Sequence, residues 1–241
     1  KNDLGSTTSK TRIINYNKES ATQKRIALII GNSNYLSNGK LKNPKNDAND
    51  ISSALKRLGF DVELVMDADF KTLGMAIDRF GTRVKRADIS FFFYAGHGVQ
   101  VKGINYLIPI DADISEENQV KYNCIDANQA LAYMESGESK VNIIVMDACR
   151  DNPFERSWKR SVKGQGLASM DAPVGSIVAY STQPGNTAAD GIGKNGLYTS
   201  ALLEYIEQPE LSLSEVFMKV RVKVLQDSDK QQQPWESSSY H

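Results

Sequence analysis

Short apolar runs recur along the chain, and stretches with apolar positions at helical spacing separate them. Residues 25–30 form the first run, which ends at Gly31 and is typical of a strand covered on both faces. Residues 46–58 and 71–84 each place apolar side chains on one helical face, and residues 61–66 form a strand between them. Strands that alternate with helices predict an α/β domain with a mainly parallel central sheet and helices on both faces.

The same alternation continues along the chain and sets the expected domain limits. We expect one domain over residues 25–236, between a polar N-terminal tail at 1–24 and a short tail at 237–241. The polar segment 151–173 is longer than a connection in a compact fold normally is, which indicates a mobile or functional loop. The other predicted strands cover residues 89–94, 141–146 and 176–180, a hairpin covers 99–109 with its turn at Lys102-Gly103, and further helices cover 126–135, 197–206 and 213–225.

Two reactive side chains follow closely after two of these predicted strands. His97 follows the strand at 89–94, and Cys149 follows the strand at 141–146. Function collects at the carboxyl ends of parallel strands in an open α/β sheet, and a thiol nucleophile needs an imidazole as its general base. We therefore predict a catalytic dyad of Cys149 and His97, with an oxyanion hole formed by the backbone N–H groups of Gly98 and Cys149. Taken singly, each side chain has a structural alternative, a buried cysteine or a histidine in a Gly-rich turn.

Charge and composition narrow the classes of protein. The chain carries 29 basic and 29 acidic residues, so its net charge gives no indication of binding to nucleic acid or to an anionic membrane surface. Its apolar runs are too short for a membrane span, and no signal peptide is visible. Two cysteines are too few for a disulfide scaffold, so we expect a cytoplasmic location, where a nucleophilic thiol stays reduced.

The motifs around the two reactive residues resemble those of the caspase clan. They read Tyr94-Ala95-Gly96-His97-Gly98 and Asp147-Ala148-Cys149-Arg150, whereas the caspase signature has Gln-Ala-Cys, with the His about 50 residues upstream. Similar segments at 25–32, 41–44 and 178–182 extend the resemblance over residues 24–236. The chain is most similar to paracaspases and to bacterial metacaspase-like proteins (orthocaspases). The resemblance implies the caspase-haemoglobinase fold and a cysteine endopeptidase activity.

The position two residues before the cysteine departs from the caspase signature and bears on specificity. Asp147 stands where caspases carry Gln, and a carboxylate there would repel a P1 Asp and attract a P1 Arg or Lys. Paracaspase-type enzymes build such a pocket from three acids, which by motif position correspond to Asp47, Asp147 and Asp190. Each acid also has an ordinary alternative: a helix N-cap at Asp47, a strand-end turn at Asp147 and an exposed loop residue at Asp190.

The segment after the cysteine contains residues that the same pocket could bind. In caspase-like enzymes this region separates the large-subunit-like part, here ending near residue 155, from the small-subunit-like part. A protease that cuts after basic residues could cleave itself there, although a solvated loop is the simpler interpretation. The candidate self-cleavage residues are Arg156, Lys159, Arg160 and Lys163.

No cofactor is required for this chemistry, and no metal-ligand spacing is present. The acidic residues between 111 and 117 could bind calcium, which activates some metacaspases, but an exposed acidic loop is the favoured interpretation. Cys124 is expected to be a structural thiol, and the G-x-G-x-x-G spacing at 191–196 is expected to be a pocket loop rather than a nucleotide site. The expected partners are protein or peptide substrates with a basic P1 residue, and a sensor or partner domain outside this chain is possible. We expect a monomer or weak dimer; a catalytically silent caspase-like scaffold is the rival interpretation.

Overall fold

The computed structural model describes residues 23–37, 39–149 (at Cys149 the backbone), 167–183 and 193–239. In these ranges eight strands form one sheet, six of them in the order β2-β1-β3-β6-β7-β8. Outside this order, β4 pairs antiparallel with β3, and β5 pairs antiparallel with β4. Strands β1, β2, β3, β6 and β7 pair in parallel, and β8 closes the sheet antiparallel to β7. The strands are β1 Arg25–Gly31, β2 Asp61–Met66, β3 Ile89–Val101, β4 Ile104–Leu107, β5 Ile125–Asp126, β6 Val141–Cys149, β7 Ser176–Tyr180 and β8 Trp235–Ser238.

Helices cover both faces of the sheet, and each face has its own hydrophobic core. On one face α1, α5 and α6 pack against alternate residues of the parallel strands; on the other, α2 and α4 pack against the remaining set. This arrangement buries the strands on both sides and explains their continuous apolar runs. The helices are α1 Pro44–Arg57, α2 Phe70–Arg83, α3 Val120–Asn123, α4 Asn128–Ser136, α5 Leu197–Tyr205 and α6 Leu213–Asp227, with a short 3-10 helix at Glu117–Gln119.

Local sequence signals set where several helices begin. Pro44 occupies the first turn of α1, where its missing N–H and restricted φ are favourable. The Asp69 side chain accepts a hydrogen bond from the Thr72 N–H and caps α2. Ser212 and Glu215 form a reciprocal capping box at the start of α6. These contacts satisfy N–H groups that have no partner within the helix.

The structure confirms the predicted fold class and extends several elements. The hairpin turns at Lys102 and Gly103, both with positive φ, as predicted. Strands β3 and β6 do not end at residues 94 and 146 but continue through the motifs that follow. The last strand, β8, reaches Ser238, within the segment 237–241 that the sequence analysis assigned to a tail.

Candidate active site

The extension of β3 and β6 makes the two predicted catalytic residues neighbours in the sheet. The two strands pair in parallel in one unbroken register, from Ile89 opposite Val141 to His97 opposite Cys149. Adjacent strands lie about 4.8 Å apart. The backbones of His97 and Cys149 are therefore adjacent at the carboxyl edge of the sheet, as the dyad hypothesis requires.

Two tyrosines hold His97 in place. The His97 N–H donates a hydrogen bond of 2.7 Å to the Tyr35 hydroxyl, and the Tyr94 hydroxyl donates one of 2.7 Å to the His97 carbonyl. The Tyr35 ring lies 4.5 Å from the imidazole, centroid to centroid, at an angle of 54°. His97 is 7% exposed. Its backbone and its ring are thus both fixed by aromatic side chains, one from β3 and one from the loop after β1.

Gly96 is required by this arrangement. Its φ of +156° lies in the region that favours glycine. A Cβ at Gly96 would lie 2.6 Å from the Tyr35 hydroxyl and 2.9 Å from the Tyr94 hydroxyl. Complete burial raises the pKa of Tyr94 well above its usual value, so its hydroxyl keeps the proton that it donates.

Two of the three predicted pocket acids converge on one point. The Asp47 carboxylate accepts a 2.9 Å hydrogen bond from the Gly196 N–H, and the Asp147 carboxylate accepts a 2.6 Å hydrogen bond from the Thr199 hydroxyl. A Cβ at Gly196 would lie 3.2 Å from Asp47 Oδ2 and 3.5 Å from Asp147 Oδ2. Acids from α1 and from β6 therefore flank the beginning of α5.

Burial and mutual repulsion affect the charge of this acid pair. Asp47 is 3% exposed. Desolvation, followed by the nearby Asp147 carboxylate, raises its pKa to about 8, although the Gly196 N–H acts in the opposite direction. Two closely spaced carboxylates do not easily ionise together, so the pair retains a proton at neutral pH. A cation placed between them would favour its release.

The structure decides some of the alternatives for these residues. Asn43, not Asp47, is the N-cap of α1, and Asp147 lies within β6 rather than in a turn. Asp190 and the four candidate self-cleavage residues lie outside the described residues. At Gly98 a Cβ would come within 3.2 Å of both the Ala148 Cβ and the Leu167 Cδ2, so the backbone approaches its neighbours closely there. The oxyanion role of Gly98 and Cys149 stays a prediction.

Sequence reasoning missed Tyr35, Tyr94 and Thr199. A signal existed for Tyr35, since it follows the end of β1, whose carboxyl end lies beside that of β3. Thr199 is the third residue of α5, after a Gly-rich loop, and nothing in its local sequence indicates a carboxylate partner.

The remaining candidate groups have ordinary surroundings. Burial raises the pKa of the Cys124 thiol to about 12, which suits a structural residue. Asp111 accepts a hydrogen bond from the Phe70 N–H, and Glu116 caps the 3-10 helix. Within the described ranges, no group of three or more His, Cys, Asp or Glu side chains could hold a metal ion. In the same ranges, none of the helices has the length and apolar character needed to cross a membrane.

Comparison with known proteins identifies a family for this chain. The family model of the caspase domain matches residues 24–240. The human mucosa-associated lymphoid tissue lymphoma translocation protein 1 is 27% identical over 199 residues, which cover 79% of this chain and 23% of the relative. Its homolog from Mus musculus is 26% identical over 198 residues, with 79% and 22% covered.

The chain thus spans less than a quarter of the length of these two relatives. The resemblance to caspase-clan peptidases of the paracaspase type is confirmed by the matches, as is the caspase-haemoglobinase fold. This chain belongs to the caspase family, and residues 24–240 are its caspase-like peptidase domain.

Proposed function

We propose that this domain is a cysteine endopeptidase that cleaves proteins after Arg or Lys, with Cys149 as nucleophile and His97 as general acid and base. The observation that carries the proposal is the register of β3 and β6, which pairs the backbone of His97 with that of Cys149. Membership of a peptidase family supports the same reading.

In this mechanism His97 handles every proton. It takes the proton of the Cys149 thiol, and the thiolate attacks the scissile carbonyl carbon. The backbone N–H groups of Gly98 and Cys149 stabilise the resulting oxyanion. The C–N bond then breaks as His97 delivers the proton to the leaving amine. Water adds to the thioester while His97 takes one of its protons, and the C–S bond breaks to release the acid and restore the thiol.

The tyrosine contacts support the role of His97 as the proton carrier. A general base must hold its ring in reach of the nucleophile, and small misplacements cost large factors in rate. Tyr35 contacts the imidazole ring and accepts the backbone N–H, while Tyr94 fixes the carbonyl of the same residue. Such support is what a preorganised catalytic group needs.

The acid pair supports the choice of substrate. Asp47 on α1 and Asp147 on β6 lie on either side of Gly196, near the carboxyl edge of the sheet. Binding a P1 guanidinium or ammonium there would replace the retained proton by a fixed cation. A P1 Asp would add a second negative charge beside that of the half-protonated acid pair, in a poorly solvated site, and would be rejected. In this proposal Asp190, which precedes α5 in sequence, contributes the third acid.

Self-cleavage follows as part of the same proposal. Arg156, Lys159, Arg160 and Lys163 are basic residues in the segment after Cys149. An enzyme with this specificity would process itself at one or more of them. The physiological substrates would be proteins with accessible Arg or Lys residues, and calcium is proposed only as a possible activator.

A panel of fluorogenic peptides with Arg, Lys, Asp and Gln at P1, run with and without calcium, tests the function. The wild type should cleave only the Arg and Lys reporters. Cys149→Ala should abolish cleavage, and His97→Ala should reduce kcat by a factor of about 10² to 10⁴. Cys124→Ala is the matched control, because it removes the buried structural thiol and should leave activity unchanged.

Each outcome separates the proposal from its rivals. Absence of cleavage by the wild type under all conditions would favour a silent scaffold, and cleavage of the Asp reporter would contradict the pocket. Activity retained in Cys149→Ala would contradict the mechanism. Self-cleavage would be dropped if wild type and Cys149→Ala gave the same single intact band on a denaturing gel.

A further inference from the structure

The first turn of α5 contacts both pocket acids through different groups. Gly196, the residue before the helix, donates its N–H to Asp47, and Thr199 donates its hydroxyl to Asp147. Thr199 is fully buried, while Asp147 is half-buried. The Thr199 hydroxyl is therefore not exposed to solvent. It donates its hydrogen bond to the Asp147 carboxylate near the carboxyl end of β6.

We propose that Thr199 is a specificity-determining positioning residue, whose hydroxyl fixes the orientation of the Asp147 carboxylate toward the P1 cation. This inference rests on the proposed function and adds to it a residue that acts through Asp147 and does not itself touch the substrate.

A carboxylate that recognises a guanidinium needs a fixed orientation. The terminal torsion of an Asp side chain is broad, so the backbone alone does not set the plane of its two oxygens. A hydrogen bond of 2.6 Å from Thr199 to Asp147 Oδ2 is in the short range typical of bonds to an ionised acceptor. It restricts that torsion in a place where rotation would turn the carboxylate away from its ligand.

The position of Thr199 is itself set by α1. Asp50 lies 2.7 Å from the Lys194 ammonium and accepts a 3.1 Å hydrogen bond from the Asn195 side chain. The Asn46 side chain donates to the Lys194 carbonyl over 2.9 Å. With the Gly196 bond to Asp47, these contacts hold the residues before α5 against α1. The helix that carries one acid thereby locates the hydroxyl that orients the other.

The arrangement predicts different effects on Arg and Lys substrates. An Arg side chain pairs with a carboxylate through two parallel hydrogen bonds and depends on the carboxylate plane. A Lys ammonium acts as a point charge and tolerates rotation of the carboxylate. Loss of the Thr199 hydroxyl should therefore weaken binding of Arg more than binding of Lys.

Steady-state kinetics of Thr199→Val and Thr199→Ser, with Arg and Lys reporters, test the inference. Valine preserves the branched shape without the hydroxyl, and serine keeps the hydroxyl. Thr199→Val should raise KM for the Arg reporter about tenfold, equivalent to about 1.4 kcal/mol, with a smaller rise for Lys and little change in kcat. Thr199→Ser should restore a KM close to that of the wild type.

Thr72→Val is the matched control. Like Thr199 in α5, Thr72 is the third residue of its helix, α2. Its hydroxyl contacts the carboxylate of Asp69, which lies at the start of that helix and outside the site. Its loss should leave both KM values unchanged.

The outcomes separate this inference from the proposed function. A wild type that cleaves neither reporter would overturn the proposed function, and this inference with it. An active wild type with unchanged KM in Thr199→Val would overturn the inference alone. So would equal losses for Arg and Lys, or a fall in kcat without a change in KM, since these indicate a general structural role. If Thr199→Val does not fold, failure of Thr199→Ser to keep the wild-type ratio of the KM values for the Arg and Lys reporters would overturn it.

Discussion

Asp47 is an acid that its surroundings keep from ionising. It is buried on the first turn of α1, where Asp147 is the charged group that raises its pKa most and Asp50 lies one turn further along the helix. The Gly196 N–H and the Asn195 side chain partly offset this effect, but burial dominates and the pKa rises to about 8. Under the proposed function a basic substrate would require Asp47 in its charged form, whereas in the free protein Asp47 is protonated at neutral pH.

This shift predicts how stability depends on pH. In the unfolded chain Asp47 loses its proton near pH 3.8, whereas the folded protein keeps that proton until about pH 8. The folded state therefore binds more protons between these two values, and the contribution of Asp47 to stability falls as pH rises across this window. Below the window both states are protonated and the penalty is absent.

Asp47→Asn should remove this dependence, since the amide is neutral and can still accept from Gly196. The free energy of unfolding of the variant should exceed that of the wild type near the upper end of the window and approach it near the lower end. One pKa unit corresponds to about 1.4 kcal/mol, so even a fraction of the shift is measurable by denaturant titration across the pH range. An equal difference between the two proteins at all pH values would contradict the assignment.

At the scale of elements, the contact between α1 and β1 determines where Asp47 lies. Gly31 ends β1, and a Cβ there would lie 2.6 Å from both the Ala48 Cβ and the Pro44 carbonyl oxygen. The helix therefore packs directly on the strand backbone. Any side chain at Gly31 must push α1 outward and carry its acid away from β6.

Gly31→Ala should destabilise the protein by about 1–3 kcal/mol, the usual cost of overpacking, and should raise KM for basic reporters. Gly74→Ala, inside α2, is the control: the nearest atom to the new methyl is Ile125 Cδ1 at 3.8 Å. It should stabilise by about 0.5–1 kcal/mol, because glycine is unfavourable within a helix. Denaturant midpoints and reporter kinetics check both variants; a neutral Gly31→Ala would show that α1 can shift without cost.

At the scale of the whole molecule, the parts of the chain before and after residues 150–166 form one hydrophobic core. β6 precedes the segment and β7 follows it, yet the two strands pair in parallel over five residue pairs. One hydrophobic core joins α1 and β1 to α5 and α6, which lie on opposite sides of the segment in sequence. The parts of the chain before and after this segment therefore share their apolar contacts.

Cleavage within residues 156–163 should accordingly leave the two fragments associated. We expect a Cys149→Ala variant carrying an inserted site for a sequence-specific protease to give two bands on a denaturing gel after digestion. The same sample should elute as a single particle at the volume of the uncut variant, because the burial that joins the fragments is unchanged. Separate elution of the fragments would contradict a shared core.

Much of the architecture could be predicted because its signals are local. Apolar runs indicated β1 and β7, the sequence also predicted β2 with its observed bounds, and apolar spacing predicted α1 and α2 to within two residues at each end. The ends of β3 and β6 could not be predicted, since Ala95-Gly96-His97-Gly98 resembles a turn. Strand geometry continues there because Tyr35 and Tyr94 meet around Gly96, and Tyr35 is distant from Gly96 in sequence.

The sequence by itself determined the alternation of strands and helices, the family resemblance, and the identity of Cys149, His97 and the pocket acids as candidates. Each follows from residue types and short spacings. Only the tertiary structure decided that His97 and Cys149 share one register, and that Asp47, Asp147 and Thr199 meet at the start of α5. These residues lie far apart in sequence on separate elements, so their contacts depend on how the sheet orders its strands and how the helices pack upon it.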